Sequence, residues 1–297
     1  MSNSTALANS AEKKQLDNSA SIGGYKDHTL HTTRTGFWWL APLLTVLGFG
    51  SFVIYTIWAA FQGAHYYTAP YLSPFYSPLV FIDPTAAGSA PLSHSIFGEF
   101  PKWWPAFIPQ SPSFFILIIP AVFRGTCYYY RKAYYRSVFL TPSACAVTSR
   151  KQNYSGETTL FLVQNIHRYT MYFAVAIIFV LAYDSVMAFF KHGVFGIGVG
   201  SIVLTINTLL LSAYTFGCHS IRHLIGGKGN TFGCAACTGH KRVKTGNKHK
   251  AWSFVSFLNE HHMTFAWISL FWVGFTDLYV RLVSMGIITD FNTWGGM

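Results

Sequence analysis

The chain has 297 residues, 51% of them hydrophobic and 18% aromatic, with only 10% charged and a formal net charge of +11. Soluble domains carry roughly 25% charged residues, and the 10 acids present are too few to solubilise a chain of this size. The composition therefore excludes a soluble globular protein and calls for one embedded in a membrane.

A bilayer core about 30 Å thick needs about 20 mostly apolar residues at about 1.5 Å rise each. Residues 1–36 do not qualify: they are polar, rich in Ser, Asn and Thr. No short apolar stretch with a small-residue cleavage site follows a basic stub, so they read as a polar cytoplasmic tail. Phe37 to Gln62 has no charge and is dense in Trp, Leu, Phe and Ile. Trp38, Trp39 and Trp58 near its ends suit interface anchors, and this is helix one.

After a long aromatic and proline-rich stretch, 63–112, helix two is expected at about 113–136. It reads from the apolar run Phe114 to Phe123 through Arg124 to Tyr130 and ends in Arg131, Lys132 and Arg136. Helix three is expected at about 164–190, helix four at 194–223 and helix five at 260–284, with Gly193 as the tight turn between three and four. The expected fold is all-α, a five-helix integral membrane bundle formed by residues 37–297.

Lys and Arg concentrate in short cytoplasmic loops. The segment after helix two holds Arg131, Lys132, Arg136, Arg150 and Lys151, and that after helix four holds Lys228, Lys241, Arg242, Lys244, Lys248 and Lys250. The tail adds Lys13, Lys14, Lys26 and Arg34, whereas 63–112 carries only Lys102 and the turn after helix three only Lys191. The expected topology puts the N-terminus in the cytoplasm and the long loop between helices one and two outside. The positive excess is then what orients the helices in a multi-pass protein of the inner (cytoplasmic) membrane. It does not indicate nucleic acid, whose binding patches need a soluble face.

At the cytoplasmic ends of the helices the soft and ionisable residues gather. Helix two brings Arg124, Cys127 and Tyr128, with Arg131 one turn, roughly 6 Å, beyond Cys127. Helix three brings His167, Arg168 and Tyr169; helix four Cys218, His219, Arg222 and His223; helix five His261 and His262. Two thiols and several imidazoles thus share one slice of membrane, where an unpaired polar group is costly and marks function.

A buried metal centre satisfies them together. Paired thiolate and imidazole suit a Rieske-type 2Fe-2S cluster, with two Cys on one iron and two His on the other; two opposed His alone suit haem b. At about 100° per residue, His219 and His223 share a face while Cys218 stands about 100° from the first and about 140° from the second. Not every group on helix four can therefore ligate one centre. The candidate ligands are Cys127 and Cys218, with imidazoles drawn from His167, His262 and one of His219 or His223.

Taken singly, a buried Cys is commonly inert and a terminal His often hydrogen-bonds at headgroup level. Convergence of four helices is what favours the metal centre. Cys234 and Cys237 with His240 form half of a zinc pattern whose second half is missing apart from His249, so structural or incidental thiols are expected there. Cys145 has no clear partner. Asp184 and Asp277, far along their helices, are expected to pair with Arg281, to cap, or to line a proton or quinone path.

Several strings resemble a known family: Arg124-Gly125-Thr126-Cys127-Tyr128-Tyr129-Tyr130-Arg131-Lys132-Ala133-Tyr134-Tyr135-Arg136, His167-Arg168-Tyr169, Cys218-His219-Ser220-Ile221-Arg222-His223, His262-Met263, Thr276-Asp277-Leu278-Tyr279-Val280-Arg281, and the segment Tyr71 to Pro78. Together they resemble the five-helix membrane anchor of actinobacterial-type succinate dehydrogenase over nearly all of the chain after Gly36. The resemblance implies flavoprotein and iron-sulfur subunits docked on the cytoplasmic face and electrons passing from succinate to menaquinone. In at least some members it also implies a membrane Rieske-type cluster. No succinate chemistry falls to this chain, and Arg124, Tyr128, Arg131, Arg168 and Tyr169 are then the quinone or docking residues. The tail and the stretch Cys234 to Lys250 match nothing in that family.

The rival readings are a haem b anchor built on the same histidines and a membrane di-iron desaturase or hydroxylase. The latter would use His219-x-x-x-His223 and His261-His262 as histidine boxes. No inverted repeat points to a transporter.

Overall fold

The computed structural model describes residues 36–144, 147, 157–226 and 247–294. Among these the chain is mostly helical: α1 (Leu40–Gln62), α2 (Ser113–Gly125), α3 (Tyr128–Ser137), α4 (Glu157–Met187), α5 (Val199–Phe216), α6 (His219–Gly226), α7 (Asn247–Glu260) and α8 (His262–Ser284). A 3-10 turn (Leu92–His94) and two short antiparallel ladders, β1 (Tyr67–Thr68) with β2 (Tyr71–Leu72) and β3 (Phe190–Lys191) with β4 (Val194–Phe195), complete the elements among the described residues. The tail 1–35, Cys145, and Cys234, Cys237 and His240 lie outside the described residues.

Among the described residues four helices are long and apolar enough to cross a membrane: α1, the 166–187 part of α4, α5 and α8. Helix two is not the straight span expected at 113–136, because the chain bends by 77° between α2 and α3. The physical reason lies at Cys127, whose backbone is extended (φ −64°, ψ 135°), which stops the helical ladder. Thr126 Oγ1 meanwhile folds back to donate to the Val122 carbonyl at 2.7 Å. At 13 residues α2 spans only about 20 Å, and α3 turns away with its Tyr, Arg and Lys side chains.

Helix four departs from expectation in the same way. Residues 194–195 belong to the β3–β4 hairpin, where His192 and Gly193 both take positive φ (50° and 80°), as a tight two-residue turn requires. At the other end α5 stops at Phe216, and Gly217–Cys218 separates it from α6. A Cβ on Gly217 would meet Leu258 O of α7 at 2.9 Å and Ala213 O at 2.7 Å. Asn259 Nδ2 donates to the Gly217 carbonyl at 2.8 Å. The break is therefore stapled to α7, a helix the sequence reading did not anticipate. α1, α4 and α8 overlap the stretches expected for helices one, three and five, with α4 starting seven residues earlier and ending three residues sooner than expected.

At the loop end, Tyr66, Phe75, Tyr76, Leu79, Ile82 and Ala90 pack against Ala59 of α1 and Val273 of α8. Tyr66 and Tyr76 stack at 4.4 Å, worth about 1 kcal/mol beyond simple burial. Burial also pushes both phenols above the ordinary tyrosine range.

The two acids within the helices are held by one stretch of this loop. Ser73 Oγ donates to Asp277 on α8, and Ser77 Oγ donates to Asp184 on α4. Asp277 also accepts from Tyr55 of α1 at 2.6 Å and pairs with Arg281 at 3.4 Å, so the expected pairing is present. Arg281, 1% exposed, donates to the Ala64 carbonyl at 2.7 Å and lies 5.2 Å over the Trp58 ring.

Candidate metal centre and adjoining cavity

At the end of the bundle opposite the loop, both helix breaks carry a cysteine. Cys127 and Cys218 are each 2% exposed and belong to one buried cluster with Phe123, Tyr130, Met171 and Tyr214. His167 of α4 points Nε2 at Cys218 Sγ at 3.1 Å, and His262, the first residue of α8, points Nε2 at Cys127 Sγ at 3.7 Å.

The histidines are held from behind. His167 Nδ1 meets the Phe123 carbonyl at 2.9 Å and Thr126 Oγ1 at 3.1 Å. The carbonyl can only accept, so Nδ1 carries the proton and Nε2 is left as a lone-pair donor facing the thiol. Outer-shell partners orient metal-binding histidines in this manner. His262 Nδ1 is buried and, among the described residues, has no hydrogen bond of good geometry.

Rings clamp the imidazoles in a crossed pattern. Phe123, one turn before Cys127, stacks on His167 at 4.5 Å and 7°, while Tyr214, one turn before Cys218, stacks on His262 at 4.8 Å and 10°. Each cysteine is thus coupled to one histidine, and the ring preceding it grips the other.

Among the described residues no three His, Cys, Asp or Glu side chains converge at the spacing of a single metal ion. The four donors stand instead as two sulfur-nitrogen couples. Two Cys, two His, burial, a back-bonded His167 and an orphaned Nδ1 on His262 fit a two-iron cluster in donor type and number.

The other candidates sit elsewhere. His219 and His223 are exposed on α6. Tyr128 and Tyr169 are 59% and 68% exposed, Arg168 is exposed, and Arg131 lies 5.8 Å over the Tyr128 ring. Arg124 turns inward: Nη2 donates to Ser269 at 2.9 Å, Nη1 to Tyr130 and to the Ala266 carbonyl, and Cζ lies 4.5 Å above the Tyr214 ring.

A cavity of about 560 Å³ runs between α1, α2, α4, α5 and α8. Its walls are mostly Phe, Ile, Leu and Ala, with Arg124, Tyr214 and Thr215 at the end next to the couples and Pro74 and Phe75 at the loop end. That volume suits a small-molecule ligand. Sequence reasoning missed Phe123, Tyr130 and Tyr214. The signal for two of them was present, an aromatic residue four positions before each buried cysteine, which one helical turn places on the cysteine's face.

Residues 40–286 match the family described as actinobacterial succinate dehydrogenase subunit SdhC. The chain belongs to this family. A chain of the Mycobacterium smegmatis Sdh1 complex in the apo form is 43% identical, with a TM-score of 0.76 over 92% of this chain and 97% of that one. No curated protein matches the chain. As an SdhC-family member it is a membrane subunit of succinate dehydrogenase, an oxidoreductase, which sets aside the desaturase and transporter readings. The breaks, the couples and the cavity all fall inside the matched residues.

Proposed function

We propose that this chain is the electron-transferring, quinone-facing anchor of its succinate dehydrogenase, with Cys127, Cys218, His167 and His262 holding a Rieske-type 2Fe-2S cluster and the cavity receiving menaquinone. In this reading the bent α2–α3 pair counts as one of five spans of a multi-pass inner-membrane protein. The polar tail 1–36 and the basic segments face the cytoplasm, and 63–112 lies outside the membrane's other face. Flavoprotein and iron-sulfur subunits dock on the cytoplasmic side, where Tyr128, Arg168 and Tyr169 are exposed and Arg131 is half-buried, and succinate is oxidised there rather than in this chain.

The observation that carries the reading is that two buried sulfurs at helix breaks each face an imidazole nitrogen, one from within α4 and one from the start of α8, beside an apolar cavity. When bound, a cluster of this type supplies a site that takes up and releases one electron. The chain's own residues do the rest. Phe123, Thr126 and Tyr214 fix the imidazoles, burial keeps water from the sulfurs, and Arg124 places a fixed positive charge where a quinone oxygen gains negative charge. The long apolar walls suit an isoprenoid tail.

Haem b would instead need two imidazoles facing each other across a ring, whereas here each imidazole faces a thiol. Electron paramagnetic resonance on the isolated complex tests the proposal. A Rieske-like signal that Cys127→Ser and Cys218→Ser each abolish, in complexes that still assemble, supports it. Soret and α bands without such a signal would establish the haem reading in its place.

A further inference from the structure

The cavity is walled on one side and open on the other. Where α4, α5 and α8 line it, Ala174, Ile178, Leu181, Tyr214 and Leu270 are all buried. On α1 and α2 the lining residues Ile57, Phe61 and Ile118 are instead 53%, 56% and 64% exposed, and Ala121 and Gly125 are exposed beside them. A side chain that lines a cavity and also meets the outside stands at its mouth, so the mouth lies between α1 and α2.

The packing accounts for a gap at that place. α2 packs along α4 and meets α1 at the loop end, where the Phe61 and Phe114 rings stand edge to face at 5.2 Å and Ser113 Oγ donates to the Ala60 carbonyl at 3.3 Å. Because the chain bends by 77° after α2, α3 supplies the contact at the other end, with Tyr130 at 6.1 Å from Phe49 of α1. The slot between these two ties is bordered on α2 by the small residues Ala121 and Gly125.

The chemistry of the mouth names what passes through it. Ile57, Phe61, Ile118 and Ala121 have no polar side-chain atom, and α1 is apolar enough along its length to cross a membrane, so the mouth opens onto lipid hydrocarbon. Arg124, the only charged side chain among the described lining residues, stands six residues beyond Ile118, about 9 Å along α2. A molecule that suits both ends has a polar head for Arg124 and a long apolar tail that runs sideways into the bilayer. We propose that the slot between α1 and α2, at Ile57, Phe61 and Ile118, is the passage through which the isoprenoid tail of a bound quinone leaves the cavity, and that it makes the site selective for tailed quinones. The proposal rests on the cavity being the quinone site. Ile57 and Phe61 belong to the loop half of α1, so the passage stays clear of the face on which the soluble subunits dock.

The test compares succinate-driven reduction of a long-tailed menaquinone and of tail-less menadione by the purified complex in lipid nanodiscs. In Ile57→Trp and Ile118→Trp the ratio of kcat/KM for the tailed to the tail-less quinone should fall about tenfold, the order of cost expected when a bulky ring overfills a packed slot. An unchanged ratio in complexes that still oxidise succinate with a soluble dye, as when a phospholipid chain occupies the slot, overturns the passage. Wild type supplies a second reading should the variants fail to assemble. A menaquinone with a photoreactive diazirine on its tail should label α1 and α2 at the slot, and labelling confined to α4, α5 or α8 overturns the passage. Ala174→Phe fills the cavity from its buried wall and should slow both quinones alike. Wild-type rates with both quinones in that variant overturn the cavity as the quinone site, and this inference with it.

Discussion

Removing the Asp277 carboxylate by Asp277→Ala is the sharpest test of what holds the loop end together. The substitution takes away the 3.4 Å ion pair with Arg281, the 2.6 Å bond from Tyr55 and the bond from Ser73. Arg281 stays 1% exposed with the Ala64 carbonyl as its main acceptor. Orphaning one member of a buried pair costs about 3–5 kcal/mol. At about 2–4 °C per kcal/mol, the melting midpoint of the detergent-solubilised protein should fall by roughly 10 °C. The assay is a thermal scan at fixed rate, comparing wild type, Asp277→Ala, Arg281→Met and the double variant. Because the double variant buries no unpaired charge, it should recover most of the loss. Additive losses, or an unchanged midpoint in Asp277→Ala, would refute the argument that the pair and its hydroxyl donors form one unit.

Two further outcomes bear on the other end. Gly217→Ala forces a methyl group against the Leu258 carbonyl, so α7 should separate from the α5–α6 break; reduced iron content per complex and a lower melting midpoint are expected. Removing both His219 and His223 as alanines should leave the paramagnetic signal and iron content unchanged, since both rings are exposed on α6. Loss of the signal would return one of them to the ligand set.

The long apolar stretches, the turn at Gly193 and the nearness of Cys127 to His262 and of Cys218 to His167 were legible, because hydropathy and span length bring those helix ends to a common level. The breaks were not. Thr126-Cys127 and Gly217-Cys218 contain no proline and sit inside apolar or aromatic runs. The interruptions depend on contacts that sequence spacing does not reveal, Thr126 bonding back to Val122 and Leu258 crowding Gly217. Missing the breaks also hid the choice among histidines. With helix four continuous, His219 and His223 stay near Cys218 by helical geometry, whereas the break carries both onto an exposed face. His167 and His262 were named from depth alone, and only packing on Phe123 and Tyr214 distinguishes them.

Ser73 and Ser77 stand four residues apart, yet they grip acids on two different helices. A five-residue stretch of the loop between α1 and α2 therefore behaves like the keystone of an arch for two other helices, and its removal would free both piers at once. Shortening or cleaving that excursion should be felt first in the spacing of α4 and α8 rather than in the loop itself, so the least helical part of the chain governs the geometry of its most helical part.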